Sequence, residues 1–438
     1  MLKRFFLSGN AFVFLIAITL LIGCRKGGGL AYPAITDAGM PGGKDSIWVG
    51  DNLSIHPAIY ERENVSYRWF VNGNISGTDS VLVFSPKEPG TYKIDFKSIN
   101  AVGDDNFTYE VFVWGKYQHG IFLVNEGWLG TDNGSVNFYR YGRDTIEQMV
   151  YKKENPGKEL GASTQSGVVF NGKLYLVSKQ GPLVVTDAQT LKETGRITTL
   201  PADGRAFVGI DNNNGLISTA DGIYKLNLSS LIVGNKVNGV NGETGSLKKE
   251  GNYIFAISQA DGLVAFDQNS FDIKLTIPGM TQGLAKTADG KLWVAGGDLL
   301  YSINPATLDT VSITLPFSLG DPWFAWNEGT LTASTKENAV YIGKTEPWGA
   351  GGTEIYKYIP ANPSSLSAPI ATLPENQEFY GAGIRYNPTN DELVVTAVQS
   401  GWGQNYKYNS LYFYSPGGTL KKTVKYEYLY FPALPIFN

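Results

Sequence analysis

Along most of this chain, apolar and polar residues alternate over short spans, and glycine, proline, asparagine and aspartate cut the spans apart. "PLVVT" from Pro182, "GIYKL" from Gly222, "GLVAF" from Gly262 and "KLWVAG" from Lys291 are examples. Period-two runs bounded by turn residues predict β-strands. No long stretch repeats apolar residues at helical spacing, so the expected fold class is all-β.

The spans are themselves periodic. "DAQTL" starts at Asp187, "NLSSL" at Asn227, "DQNSF" at Asp267 and "NPATL" at Asn304, so successive starts lie 40, 40 and 37 residues apart. Each follows an alternating strand, and tight Asn-Gly or Asp-Gly turns such as Asn171-Gly172 and Asp289-Gly290 lie upstream. That spacing is the period of a four-stranded propeller blade. Looser copies, "YRYGRDTI" at Tyr139, "YIPANPSSL" at Tyr358 and "YSPGGTL" at Tyr414, bring the number to seven and predict a seven-bladed β-propeller over 116–438. An open eight-bladed ring and six blades with a large insertion are the alternatives. The first copy lacks an inner strand and "FPALPIFN" at the C-terminus has no blade of its own, so the last strand is expected to complete the first blade and leave no open edge.

Residues 31–115 form a different unit. "VSYRWFVNG", "SVLVFSP", "GTYKIDFKSIN" and "FTYEVFVW" are strands of a small sandwich, with Trp69 as its core anchor. The run from Tyr67 through Trp69 to Asn72-Gly73 resembles PKD-like immunoglobulin folds. Such a domain is expected to act as a spacer, which directs the search for function to the propeller.

Blade register sorts the loops by face. The turns joining strands one to two and three to four are short and define a plain face; the two-to-three loops and blade connections carry the insertions and lie opposite. On that second face fall Trp128 in "GWLGTDNG", Trp323 and Trp326 in "LGDPWFAWNEG", Trp348 in "EPWGAGG" and Trp402 in "SGWGQN". Only Trp293, in "KLWVAG", reads as strand core. Tryptophans on glycine loops otherwise fold back to cap their own blades. Five on one face instead predict a binding platform, with Tyr380, Tyr406 and Tyr408 adding flat surface and Gln404, Asn405, Asn409 and Gln377 adding directional hydrogen bonds.

Composition narrows the chemistry. His119 is the only histidine in 116–438, which argues against a Ser-His-Asp triad or a histidine metal cluster; no cofactor or metal site is expected. Glu126, Asp132, Asp321, Glu328 and Glu346 lie in or near the loops and read as solvated loop acids rather than a glycosidase pair. A non-catalytic protein follows. The formal charge of −4 shows no basic patch, which argues against nucleic acid as a partner.

The N-terminus sets the compartment. Lys3 and Arg4 precede an apolar run that ends in Leu21-Ile22-Gly23-Cys24, and Cys24 is the chain's single cysteine. The charged start and short apolar centre describe an export signal over 1–23. The tetrapeptide resembles a bacterial lipobox, which implies lipidation of Cys24, a tether over 24–30 and anchoring of the protein to a membrane.

"GIFLVNEGWLGTDNGSVNFY", the repeated blades and the lipobox together are similar to Bacteroidota lipoproteins with a YncE-like seven-bladed propeller. That group includes BtuG-type proteins, which capture corrinoids. The resemblance implies an outer-membrane lipoprotein, on the cell surface or the periplasmic leaflet, that binds a corrinoid of the vitamin B12 type or another large ligand and passes it to a TonB-dependent transporter. Glycan recognition and a protein-interaction platform use the same residue types and remain open.

Overall fold

Four of the repeated pentapeptides turn out to be one structural device. Asp187, Asn227, Asp267 and Asn304 each place a side-chain oxygen on the N–H two residues on, at 2.8–3.0 Å. Such Asx-turns are why these positions are aspartate or asparagine. The fifth residue of each, Leu191, Leu231, Phe271 and Leu308, then adopts a positive φ of 53–63°. The device links the third and fourth strands of its blade and turns the chain back into the sheet.

The computed structural model describes residues 31–438 apart from 61, 324–325 and 349–350. The export signal, Cys24 and the tether therefore lie outside the described residues. Two compact units appear, one drawn mostly from the chain before Phe112 and one running from Val113 to Asn438 with two short earlier segments.

In the first unit a five-stranded sheet runs in the order Lys44–Trp48, Asp104–Trp114, Gly90–Ile99, Ser66–Val71, Asn74–Gly77, with two further two-stranded pairs. Trp69 is fully buried at its centre. Its ring lies 4.4 Å from Phe96 and 6.0 Å from Tyr109, and its Nε1 donates to the Asp79 carbonyl at 2.8 Å. Satisfying that polar edge is what allows an indole to be a core residue.

The second unit contains seven four-stranded antiparallel sheets. We number the blades from the N-terminus: blade 2 spans 162–197, blade 3 204–236, blade 4 244–277, blade 5 282–314, blade 6 331–372 and blade 7 377–427. Blade 1 takes Gly120–Asn125, Ser135–Arg140 and Ile146–Glu147 from its own start and Pro432–Phe437 from the C-terminus. The innermost strand of each blade touches that of the next, and the cycle closes through Pro432–Phe437. This is a seven-bladed propeller.

Closure is by backbone pairing: Ile121 opposes Phe437, Leu123 opposes Pro435, and Gly120 and Asn438 exchange N–H···O bonds of 3.0 and 3.1 Å. Pro432 and Pro435 are tolerated because an innermost strand has one edge without a partner, where a missing N–H costs nothing. Leu434 and Ile436 bury their side chains with Phe122, Val124 and Phe138, so hydrophobic burial locks the same joint.

Candidate functional site

Loop length breaks the symmetry of the ring. On the insertion face, blades 2 to 5 join their second and third strands by turns of a few residues, whereas blades 1, 6 and 7 use the longer loops 126–134, 344–353 and 400–407. Among the described residues of the propeller, the exposed aromatic side chains are Trp348, Trp402, Tyr408 and Tyr428. All four lie in or at the edge of these loops or in the adjoining connection from blade 7 to blade 1. The exposed Ile232, Ile273, Val311 and Leu420 instead sit on outermost strands. Apolar groups scattered singly at sheet edges are ordinary, whereas aromatics collected on one face are informative.

Phe431 is the hub of this face. It precedes the closing strand, and its ring lies 5.0 Å from Tyr380, 5.7 Å from Tyr406 and Tyr430, and 6.1 Å from Trp128 and Trp402. Its backbone has φ 64° and that of Tyr428 φ 71°. Trp402 has φ 58° with ψ 175°, a region that is essentially glycine-only. The indole nevertheless stands 59% exposed, stacked edgewise on Tyr406 at 5.1 Å.

Tyr380 owes its place to a bulge. In the first strand of blade 7, Phe379 pairs with Ala397 while Ile384 pairs with Val395, so residues between them leave the ladder. Gly381 has φ 59°, and a Cβ there would lie 2.5 Å from the Ala433 carbonyl oxygen of the closing strand. A bulge of this kind re-aims the side chain beside it. Tyr380 is turned toward Glu126, whose carboxyl has the Tyr380 hydroxyl and the Gln165 amide as its polar neighbours. Tyr406 in turn donates to the Glu378 carboxylate beneath the Trp402 loop.

Glu126 is only 5% exposed and sits at the end of a blade 1 strand, with its N–H on the Phe431 carbonyl at 2.9 Å. Burial pushes its carboxyl up to about 8, against the opposing pull of the Gln165 and Tyr380 hydrogen bonds and the Lys179 charge. Burial, together with Glu126, raises the Tyr380 hydroxyl well above its usual range. At neutral pH Glu126 is therefore a neutral acid, a donor as well as an acceptor. Gln165 Oε1 and Asn409 Oδ1 are buried without a partner among the described residues. Glu126 thus departs from the solvated loop acid expected of it.

The face differs from the expected platform in its membership. Trp323 and Trp326 are core residues, buried against Ala206, Ile257 and Met280. Gly245 of blade 4 makes the seat: a Cβ there would stand 2.1 Å from Trp326 Nε1. Tyr380 and Tyr406 are also buried, so they support the surface rather than form it. Trp128 is half-buried against Tyr430 at 5.0 Å. Trp348, Trp402 and Tyr408 are exposed, and Gln404, also exposed, accepts from the Tyr430 hydroxyl at 2.7 Å. The Trp348 loop is tied to the same region by the Gly351 N–H on the Phe379 carbonyl at 3.0 Å. Tyr428, Tyr430 and Phe431 were missing from the sequence-based set. Their signal was the closing strand itself, since whatever precedes an innermost strand must emerge on the insertion face.

The model for a domain of unknown function, DUF5074, matches residues 119–438. The chain belongs to the DUF5074 family. The match runs from the residue before the first strand of blade 1 to the last residue, so the DUF5074 unit is the whole propeller with its closing strand. Among solved structures, this DUF5074 chain is similar to a quinonprotein alcohol dehydrogenase-like protein from Bacteroides thetaiotaomicron. The two are 20% identical over 92% of this chain and 99% of that one, with a TM-score of 0.60. At that identity the likeness is one of fold. A computationally designed protein, Ika8, aligns over 70% of this chain and 87% of its own, at 10% identity and a TM-score of 0.45. No curated protein matches the sequence. Among the described residues of this DUF5074 protein, no three His, Cys, Asp or Glu side chains gather as a metal site, and no helix is long and apolar enough to cross a membrane.

Proposed function

We propose that this protein is a non-catalytic, lipid-anchored capture protein of the outer membrane. It takes up a large, partly flat ligand on the aromatic face of its propeller and passes it to a TonB-dependent transporter. A corrinoid of the vitamin B12 type is the specific ligand we assign. The observation that supports the reading is the confinement of the propeller's exposed aromatics among the described residues, Trp348, Trp402, Tyr408 and Tyr428, to one face around the closure. A corrin offers a broad apolar body edged with amides. The body suits stacking on indole and phenol rings, and the amides suit Gln404 and the Tyr430 hydroxyl. Anchoring rests on Cys24, whose lipidation would hold the protein at the bilayer where a transporter works.

Titration of the lipid-free protein with cyanocobalamin tests the ligand. Tryptophan quenching and co-elution on gel filtration at micromolar concentration are expected. Absence of co-elution overturns the corrinoid assignment. A glycan, whose pyranose faces stack on the same indoles, is the second reading, supported by the exposure of Trp348 and Trp402. Retardation on a polysaccharide affinity gel would mark it.

A further inference from the structure

The plain face of the propeller carries a second feature, far in sequence from the aromatic loops. A recess of about 420 Å³ opens between the first strands of blades 2, 3 and 4. Val168, Phe170, Phe207, Val208 and Leu247 give it an apolar wall; Lys248, Lys249 and Glu250 edge it. The Phe170 and Phe207 rings lie 6.4 Å apart, nearly edge to face. The volume is within the ~300–1,000 Å³ range typical of small-molecule sites.

The charges around this recess do not balance. Glu250 accepts from Lys286 Nζ at 2.6 Å and stands 3.8 Å from Lys248 Nζ, so one carboxylate serves two ammonium groups. The next acid, Glu328, is already occupied, by Ser166 at 2.9 Å and by Arg385 at 3.3 Å. Glu250 and Glu328 are the acids that act on Lys248, and each is shared with a closer cation, Lys286 and Arg385 respectively. Lys249 adds a further charge; its acidic neighbour Asp211 is held by the Asn213 and Asn214 N–H groups at 2.7 and 2.9 Å. Among the described residues, Lys248 makes no ion pair closer than that 3.8 Å approach. Burial lowers its ammonium below the usual lysine range. The Lys248 side chain is 34% exposed and lacks a close counter-charge, and an anion beside it supplies one.

We propose that this recess binds a small carboxylate carried on an aromatic or short aliphatic body, its head on Lys248 and Lys249 and its body against Val168, Phe170 and Phe207. The charge deficit selects an anion and the wall selects an apolar body, and neither property depends on the aromatic face opposite. A dication or a sugar gains nothing from this combination.

The test is isothermal titration of the whole lipid-free protein with decanoate, alongside decanol as the uncharged counterpart. One saturable site for decanoate and none for decanol at the same concentration is expected. Lys248→Gln with Lys249→Gln removes charge from a part-buried edge and weakens decanoate binding by roughly tenfold or more, the loss of hydrogen bonds to a charged group. Glu250→Gln raises the local positive charge, and roughly threefold tighter binding is expected, a gain that a structural role for Glu250 would not produce. Decanoate that fails to saturate, decanol that binds as well, or affinity unmoved in both variants overturns the proposal. If the lysine pair proves unable to fold, Glu250→Gln alone decides it.

Discussion

Ser166 and Glu328 are 162 residues apart in sequence, yet the serine Oγ donates to the glutamate Oε1 at 2.9 Å. The bond joins blade 2 to the connection entering blade 6, so it spans the channel rather than following the ring. Arg385 of blade 7 completes the clasp with its 3.3 Å contact to the other carboxylate oxygen, and its Nη1 donates to the Gly329, Ala382 and Ile384 carbonyls. Removing the acid leaves a largely buried guanidinium short of its counter-charge. Glu328→Gln should therefore lower unfolding stability by roughly 3 kcal/mol, the low end for breaking a buried pair because both side chains keep some solvent. Urea unfolding followed by tryptophan emission measures it, and an unchanged midpoint would show the clasp to be incidental.

The buried Glu126 carboxyl makes stability depend on pH with a definite sign. In the unfolded chain it ionises near ~4.3, and in the folded protein near about 8. Between those values the unfolded state gives up a proton that the native state keeps. Its contribution to stability is thus complete below ~4.3, declines as pH rises, and is lost once pH passes the folded value. Glu126→Gln removes the ionisation, so its melting temperature should exceed that of the wild type by an amount that grows from pH 5 to pH 8 and then levels off. A constant gap across that range would mean the carboxyl is solvated after all.

Gly245 and Trp326 form a matched pair, the missing Cβ providing the space that the indole fills. Gly245→Ala should cost about 1–3 kcal/mol through overpacking, and Trp326→Ala about 3–5 kcal/mol through the cavity it leaves. Neither should alter ligand affinity in the protein that remains folded. Combining the two should cost less than the sum of the single losses, because the alanine methyl then enters space already vacated. Strict additivity in denaturant unfolding would separate the two sites.

The same pair shows where the sequence stopped being legible. Strands, period, blade number and the closing strand all follow from local pattern, because alternation and Asx-turn residues are properties of neighbours in the chain. The face on which each loop emerges follows from strand direction. Whether a loop indole then stands in solvent or folds into the core is decided by residues far away. Trp326 is buried because blade 4, some eighty positions earlier, has glycine at 245. Glu126 is a neutral core acid because Phe431, at the other end of the domain, brings its backbone over it. Small residues at inner-strand positions, Gly245 and Ala206, were the available sign that something large had to be accommodated.

Trp402 separates binding from stability more sharply than any other position on the face. Its φ of 58° and ψ of 175° are tolerated by glycine at no cost, whereas a side chain there stores about 1–3 kcal/mol of strain. The indole is mostly exposed, so little burial offsets that strain. Trp402→Gly should accordingly match or exceed the wild type in thermal stability, by up to ~2 kcal/mol. On the proposed function, cyanocobalamin affinity should fall at least tenfold, the loss of one stacked aromatic anchor. A core substitution shows the reverse pattern, and a capping role for the indole predicts a stability loss with affinity unchanged. Parallel melting and titration of the single variant therefore discriminate the two roles: a stable variant that has lost affinity supports the proposed binding role of the indole, and a destabilised variant with full affinity overturns it.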